Sequence, residues 1–153
     1  MKHLFIVLIA ATGLYACADN NASTADTARE DSINFEQTQK AANDTANYTT
    51  IEWIDSTSQQ LGKVKEGQVV EVSWRFKNAG DKPLIIVNVM PGCGCTVAEK
   101  PEAPIAPGEE SVIKGKFNSA GQSVGEHNKS MAVQANTKGT QLHNLSFRVE
   151  VTK

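Results

Sequence analysis

The chain has 153 residues, 21% of them charged, and a formal net charge of −2. With both signs scattered and no basic run, it lacks the electrostatic footprint of a nucleic-acid binder, so no nucleic-acid partner is expected. A chain this long supports one modest hydrophobic core rather than several.

The N-terminus reads as an export signal. Lys2 gives a short basic start, and an apolar run from Leu4 to Ala11 continues past Gly13 to "LYAC". The run is shorter than the roughly 20 apolar residues that a spanning helix needs. A basic start, a short apolar core and a small residue before a cut site are the marks of a secretory signal over residues 1–16. Leu14 to Cys17 resembles the bacterial lipobox, with an apolar residue three before the cysteine and Ala16 just before it. By that resemblance Cys17 becomes the fatty-acylated first residue of the mature chain, carrying groups such as palmitate. The expected location is the cell envelope, anchored to a bacterial membrane through lipid on Cys17, with the outer membrane favoured over the inner and the domain facing the periplasm or exterior. In such oxidising space disulfides persist. With Cys17 assigned to lipid, Cys93 and Cys95 remain as one pair.

Residues 17–48 are rich in Ala, Asn, Asp, Ser and Thr, and Ile33 and Phe35 are their only large apolar residues before Tyr48. Such a segment buries too little surface to offset its ordering entropy, so a flexible, disordered tether is expected. Asp-Ser/Thr-apolar triplets occur at Asp26–Ala28, Asp31–Ile33 and Asp44–Ala46. They resemble the signal of some periplasmic O-glycosylation systems, and the implied acceptors are Thr27, Ser32 and Thr45.

From residue 49 to residue 153 the pattern changes to alternation. "TTIEWIDS" and the piece around "LGKVKEG" supply one or two short strands. "VVEVSWRFKN" sets Val70, Val72, Trp74 and Phe76 on one face with Glu71, Ser73, Arg75 and Lys77 opposite, the period of a half-buried strand. The turn cluster "NAGDKP" ends it, and the more apolar Leu84–Met90 follows as a buried strand. Pro107-Gly108 marks a turn. "SVIKGKFN" turns Ile113 and Phe117 inward, "KSMAVQAN" turns Met131, Val133 and Ala135 inward, and "LSFRVEVT" turns Leu145, Phe147, Val149 and Val151 inward. "SAGQSVGEHN" reads as a loop. About seven strands with regular turn signals and no convincing helix predict an all-β, immunoglobulin-like sandwich. The inter-sheet cysteine pair of antibody domains is absent.

Several spaced motifs then agree with one family. Gly62–Gly67 reads G-x-V-x-E-G, Phe76–Leu84 reads F-x-N-x-G-x-x-P-L, and Cys93–Thr96 reads C-G-C-T. Ile105–Gly108 reads I-x-P-G, and Gly125 precedes a strand that ends in Asn136. Together they resemble the bacterial family called domain of unknown function 1573. The resemblance implies a secreted or lipid-anchored single Ig-like domain, related to sandwich modules of large cytoskeletal and ciliary proteins, and assigns no activity. Met90-Pro91-Gly92 departs from the family's usual run before the first cysteine and adds a soft sulfur.

Four readings of Cys93 and Cys95 stay open. They are two buried small side chains; a disulfide, for which residues two apart sit near the upper limit of reach and Gly94 eases the bend; a soft-metal site for monovalent copper with Met90 as third sulfur; or a nucleophile, which needs a positioned base. His127 and His143 are the only downstream histidines, and nothing in their spacing aims them here. There is no glycine-rich phosphate loop, no H-E-x-x-H and no G-x-S-x-G. Glu109-Glu110 reads as a solvated corner, and Trp53 and Trp74 as core or sheet-face residues. The expectation is a binding or structural module of the envelope, not an enzyme and without a resident cofactor. It would act on an unidentified protein or envelope partner through its edge strands or end loops. Thiol redox chemistry or copper handling is the alternative.

Overall fold

In the computed structural model, residues 35–153 are described. Cys17, Thr27 and Ser32 lie outside them. A helix, α1, covers 35–43, and a 3-10 turn follows at Thr45–Asn47. Eight strands come next: β1 (Ile51–Trp53), β2 (Ser58–Lys65), β3 (Val69–Asn78), β4 (Ile86–Pro91), β5 (Thr96–Glu99), β6 (Glu110–Asn118), β7 (Gly125–Ala135) and β8 (Leu142–Thr152). They form two four-stranded sheets, ordered β1-β3-β6-β5 and β2-β8-β7-β4. The expected Ig-like sandwich is present.

The inward faces are those of the alternation. Trp74, Phe76, Ile113, Phe117, Val133, Leu145 and Val151 are wholly buried, and Met131, Phe147 and Val149 almost so. Phe147 meets Phe117 edge-on at 5.8 Å and Trp74 at 6.4 Å between ring centroids, which ties both sheets into one aromatic centre. Trp53 packs tilted on Phe76 at 5.6 Å, so both tryptophans serve the core.

Besides the start of β7 at Gly125, inside the stretch read as a loop, three details differ from expectation. First, the count is eight, because β5 pairs antiparallel with β6 over Thr96–Glu99. Second, β4 begins at Ile86, while Leu84 makes only an isolated bridge to Ile105. Third, residues 35–48 are not an unstructured tether. They are mostly helical, with Ala42 buried, and their end is fastened to the sandwich. Asn47 Nδ2 donates to the Ala41 carbonyl at 3.1 Å, and Gln141 Nε2 donates to the Tyr48 hydroxyl. Thr49 N–H donates to the Asn136 carbonyl at 3.0 Å, and Ala79 N–H donates to the Thr50 carbonyl at 2.9 Å. Backbone and side-chain hydrogen bonds supply here what a large apolar face supplies elsewhere.

This docking gives the sandwich a polar-locked end. Asn78 Nδ2 donates to the carbonyls of Lys82 (2.7 Å) and Ile105 (2.9 Å), and its Oδ1 accepts from the Thr49 hydroxyl at 2.9 Å. Asn136 accepts from Ile85 N–H at 2.7 Å and donates to the carbonyls of Asn47 (2.7 Å) and Pro83 (2.9 Å). Both asparagines are wholly buried, so each hydrogen bond replaces one that water would otherwise make. A Cβ at Gly80 would lie 2.1 Å from Thr49 Oγ1 and 2.7 Å from Thr50 N, so only glycine lets these segments touch.

Candidate functional site

The other end of the sandwich holds the cysteines. β4 ends at Pro91, and Gly92 N–H donates to the Ser130 carbonyl at 2.9 Å. A Cβ at Gly92 would lie 3.2 Å from that carbonyl, so the close approach to β7 favours glycine. The chain then crosses from one sheet to the other. Thr96 N–H donates to the Cys93 carbonyl at 3.3 Å, and Asn118 N–H to the Cys95 carbonyl at 3.0 Å. These bonds hold a tight turn between β4 and β5, and a Cβ added at Gly94, at its tip, would meet nothing within 4 Å.

Cys93 and Cys95 are joined by a disulfide, with Cα atoms 5.3 Å apart. Both are partly exposed. Cys95 packs against the rim of the core, while Cys93 faces a recess of about 250 Å³ with Gly92, Asn128, Lys129 and Ser130. The buried Thr96 places its hydroxyl 3.7 Å from Cys93 Sγ and 3.9 Å from Cys95 Sγ. Lys129 extends over the Phe117 ring, its Nζ 5.5 Å from the centroid and 3.2 Å from Gln122 Oε1. A second recess, of about 360 Å³, separates the free edges of β4 and β5 and is lined by Asn88, Val89, Ala98, Glu99, Lys100 and Glu102. Two apolar side chains stand out on these edge strands, Met90 (42% exposed) and Val97 (62%).

The disulfide is one of the four readings left open by the sequence, and it excludes the other three while the bond lasts. Neither sulfur is a thiolate while bonded to the other, so Cys93, Cys95 and Met90 do not form a copper-binding set in this state. Among the described residues, no three His, Cys, Asp or Glu side chains are grouped to hold a metal. His127 Nε2 bonds the Ser123 carbonyl at 2.7 Å. His143 lies at the locked end. Its Nε2 donates to the Thr137 hydroxyl at 2.8 Å, because that hydroxyl spends its own proton on the Thr140 carbonyl. Burial pushes the His143 pKa down, so the ring is neutral at pH 7. Neither histidine lines the recess at Cys93. Thr45 is exposed beside Asp44, whose carboxylate caps Ala46 N–H.

The family described as protein of unknown function (DUF1573) matches residues 51–151. The chain belongs to this family. A Porphyromonas gingivalis protein of unknown function has a similar structure, with 16% identity and a TM-score of 0.59 over 69% of this chain and 48% of its own. This chain thus spans about half of that protein, and the likeness is one of fold. The periplasmic chaperone SfaE is also similar, at 14% identity and a TM-score of 0.49 over 68% of this chain and 59% of its own. No curated protein is significantly similar in sequence.

The DUF1573 motifs divide by location. Asn78, Gly80 and Asn136 build the locked end. Gly62 (φ 73°) sits at the register shift of β2 between Gln60 and Lys63, and Gly108 (φ 82°) donates its N–H to the Asn78 carbonyl. Each has a packing or turn duty. Cys93-Gly94-Cys95 lies apart from them, at the opposite end, and is partly open to solvent.

Proposed function

We propose that this chain is a membrane-tethered binding module of the cell envelope, anchored by lipid on Cys17, which presents its Cys93–Cys95 end to a protein partner away from the bilayer. One observation carries the reading. The segment that leads back toward Cys17 docks at the Asn78/Asn136 end, and the disulfide turn is at the other. β3 spans the distance with ten residues, about 33 Å at 3.3 Å per residue. A lipid-held N-terminus therefore leaves the C-G-C-T end, with exposed Met90 and Val97, as the membrane-distal face. The outer membrane, facing the periplasm or exterior, is the proposed site. Thr27, Ser32 and Thr45 are proposed O-glycan acceptors on the stretch between lipid and sandwich.

The module has no catalytic turnover of its own in this reading. The described cysteines are bonded to each other and no histidine faces them, so a nucleophile–base pair is not assembled.

Mass spectrometry of the native protein tests the anchor and the modifications together. The expected N-terminal peptide begins at an acylated Cys17, and Cys17→Ser moves the protein to the soluble fraction. A mature chain cut elsewhere with Cys17 unmodified overturns the anchor. Photo-crosslinkers at Val97 and Gly139 then test the orientation, with partner capture expected from Val97. Capture from Gly139 alone overturns the distal-face reading.

A further inference from the structure

We infer that the Cys93–Cys95 disulfide is a thiol–disulfide exchange site, which accepts electrons from a dithiol protein at the distal end of the sandwich. The inference rests on the proposed export only for its oxidising setting. Its chemistry is tested on purified protein, so failure of the location and failure of the chemistry are distinguishable.

Placement is the first argument. A disulfide that serves a fold joins distant parts of the chain and is shielded by them. This one spans a single residue, at the tip of a turn whose carbonyls and N–H groups are already held by β6 and β7. It closes a loop too small to restrict the unfolded chain much. Its neighbours supply the fold without it. On either side of the turn Pro91 pairs in register with the buried Met131 and the buried Thr96 with the buried Phe117, and Gly92 anchors it to Ser130.

Asymmetry is the second argument. Exchange requires in-line access to one sulfur and departure of the other. Cys93 lines the recess and Cys95 packs on the core rim, so the incoming sulfur reaches Cys93 first. Lys129 lines the same recess, held in place by Phe117 and Gln122. Its ammonium raises the local positive potential and draws in a thiolate. The Thr96 hydroxyl, within 4 Å of both sulfurs, is placed to donate to whichever carries the negative charge.

The exchange balances as follows. A partner thiolate attacks Cys93 Sγ and forms a mixed disulfide, the Cys93–Cys95 bond breaks, and its electron pair leaves on Cys95 Sγ. The partner's second thiolate attacks the partner sulfur of the mixed disulfide and releases Cys93 as thiolate. Cys93 and Cys95 then take up two protons from solvent. The partner dithiol is oxidised to a disulfide and the pair is reduced to two thiols, with two electrons transferred. Gly94, beside which even an added Cβ would meet nothing within 4 Å, lets the turn relax as the sulfurs part.

The test equilibrates the purified protein with glutathione buffers and then with a reduced Cys-x-x-Cys protein, quenches with an alkylating agent and counts modified cysteines by mass. The expected result is reversible reduction of the pair in native buffer with unchanged far-UV circular dichroism. The protein dithiol should act at least tenfold faster than glutathione at equal thiol concentration. Equal or faster reaction of glutathione overturns the protein-partner assignment. Offered the partner's Cys-x-x-Ser form already joined to glutathione as a mixed disulfide, Cys95→Ser should attack through Cys93, release glutathione and trap the protein–protein mixed disulfide at least tenfold more than Cys93→Ser does through Cys95. Lys129→Gln should slow reduction several-fold at low salt and little at high salt, a readout that loss of packing would not produce. A pair that stays oxidised in excess reduced thiol until denaturant is added overturns the inference. So does reduction that unfolds the domain, or equal trapping at both cysteines.

Discussion

Replacing Asn136 by alanine tests whether the folded domain depends on its locked end. The wholly buried amide serves three backbone groups on two segments: Ile85 N–H and the Pro83 carbonyl on one, the Asn47 carbonyl on the other. Truncation leaves all three without their partner. A fully buried orphan costs about 1–3 kcal/mol, and because these backbone groups are only partly buried each falls at the low end, for a total of about 3 kcal/mol. Against the 5–15 kcal/mol typical of a whole domain, that is a large share. Urea unfolding followed by tryptophan fluorescence measures it, and with a slope of about 2 kcal/mol per molar the midpoint should fall by about 1.5 M. Asn136→Asp keeps an acceptor for Ile85 but turns a carboxylate toward two carbonyls, so it should be at least as harmful. A loss below about 1 kcal/mol for alanine, or tolerance of aspartate, would refute the reasoning.

Gly80→Ala should destabilise the domain by about 2–3 kcal/mol in the same assay, because the new methyl overlaps Thr49 and the Thr50 backbone. Thr49→Ala should restore only part of this, since the Thr50 clash remains. The double substitution Cys93→Ser/Cys95→Ser should cost no more than about 2 kcal/mol, since chain entropy for a three-residue loop gives about 1.6 kcal/mol. Thermal melting at matched pH checks it. Asp55 accepts from Arg75 Nη2 at 2.7 Å and from Arg75 N–H at 2.8 Å, and the Arg75 side-chain hydrogen bonds above all hold its carboxyl below the ordinary 3.8. The stability this lends is fully present above that value and is lost as pH falls through the folded one. The difference between wild type and Asp55→Asn should therefore be level near neutrality and shrink below pH 3.8 in a pH series of urea melts.

Alternation made β3, β6, β7 and β8 legible, since the residues it turns inward, from Trp74 to Val151, form the core. It failed in three places for separate reasons. In β2 the inward Gln59 and Leu61 are followed by Val64 rather than by position 63, because the bulge at Gly62 shifts the phase by one. β5 has four residues, with Thr96 and Ala98 inward, too short and too polar to register as a period. In α1 the buried position is an alanine, and hydrophobic patterning is blind to a helix held by backbone partners. The Cys93–Cys95 bond was one option among four, because spacing alone does not say whether the backbone brings two sulfurs together. The polar lock at Asn78 and Asn136 carried a signal in the family motif, but its duty emerges only when Thr49, Ile85 and Ile105 come together.

The parallel pairing of β2 with β8 sets the order in which this protein is made. β8 is an interior strand, between β2 and β7, yet it ends at Thr152. A chain synthesised from its N-terminus has no partner for β2 until β8 arrives, and β8 brings Leu145, Phe147, Val149 and Val151 to the core. Assembly of that sheet must wait for β8, because loop closure over more than 80 residues precedes any gain from the pairing of β2. A chain with this topology leaves β2 and β7 without their shared neighbour for as long as β8 is missing, so half of the sandwich stays open until its final strand is in place.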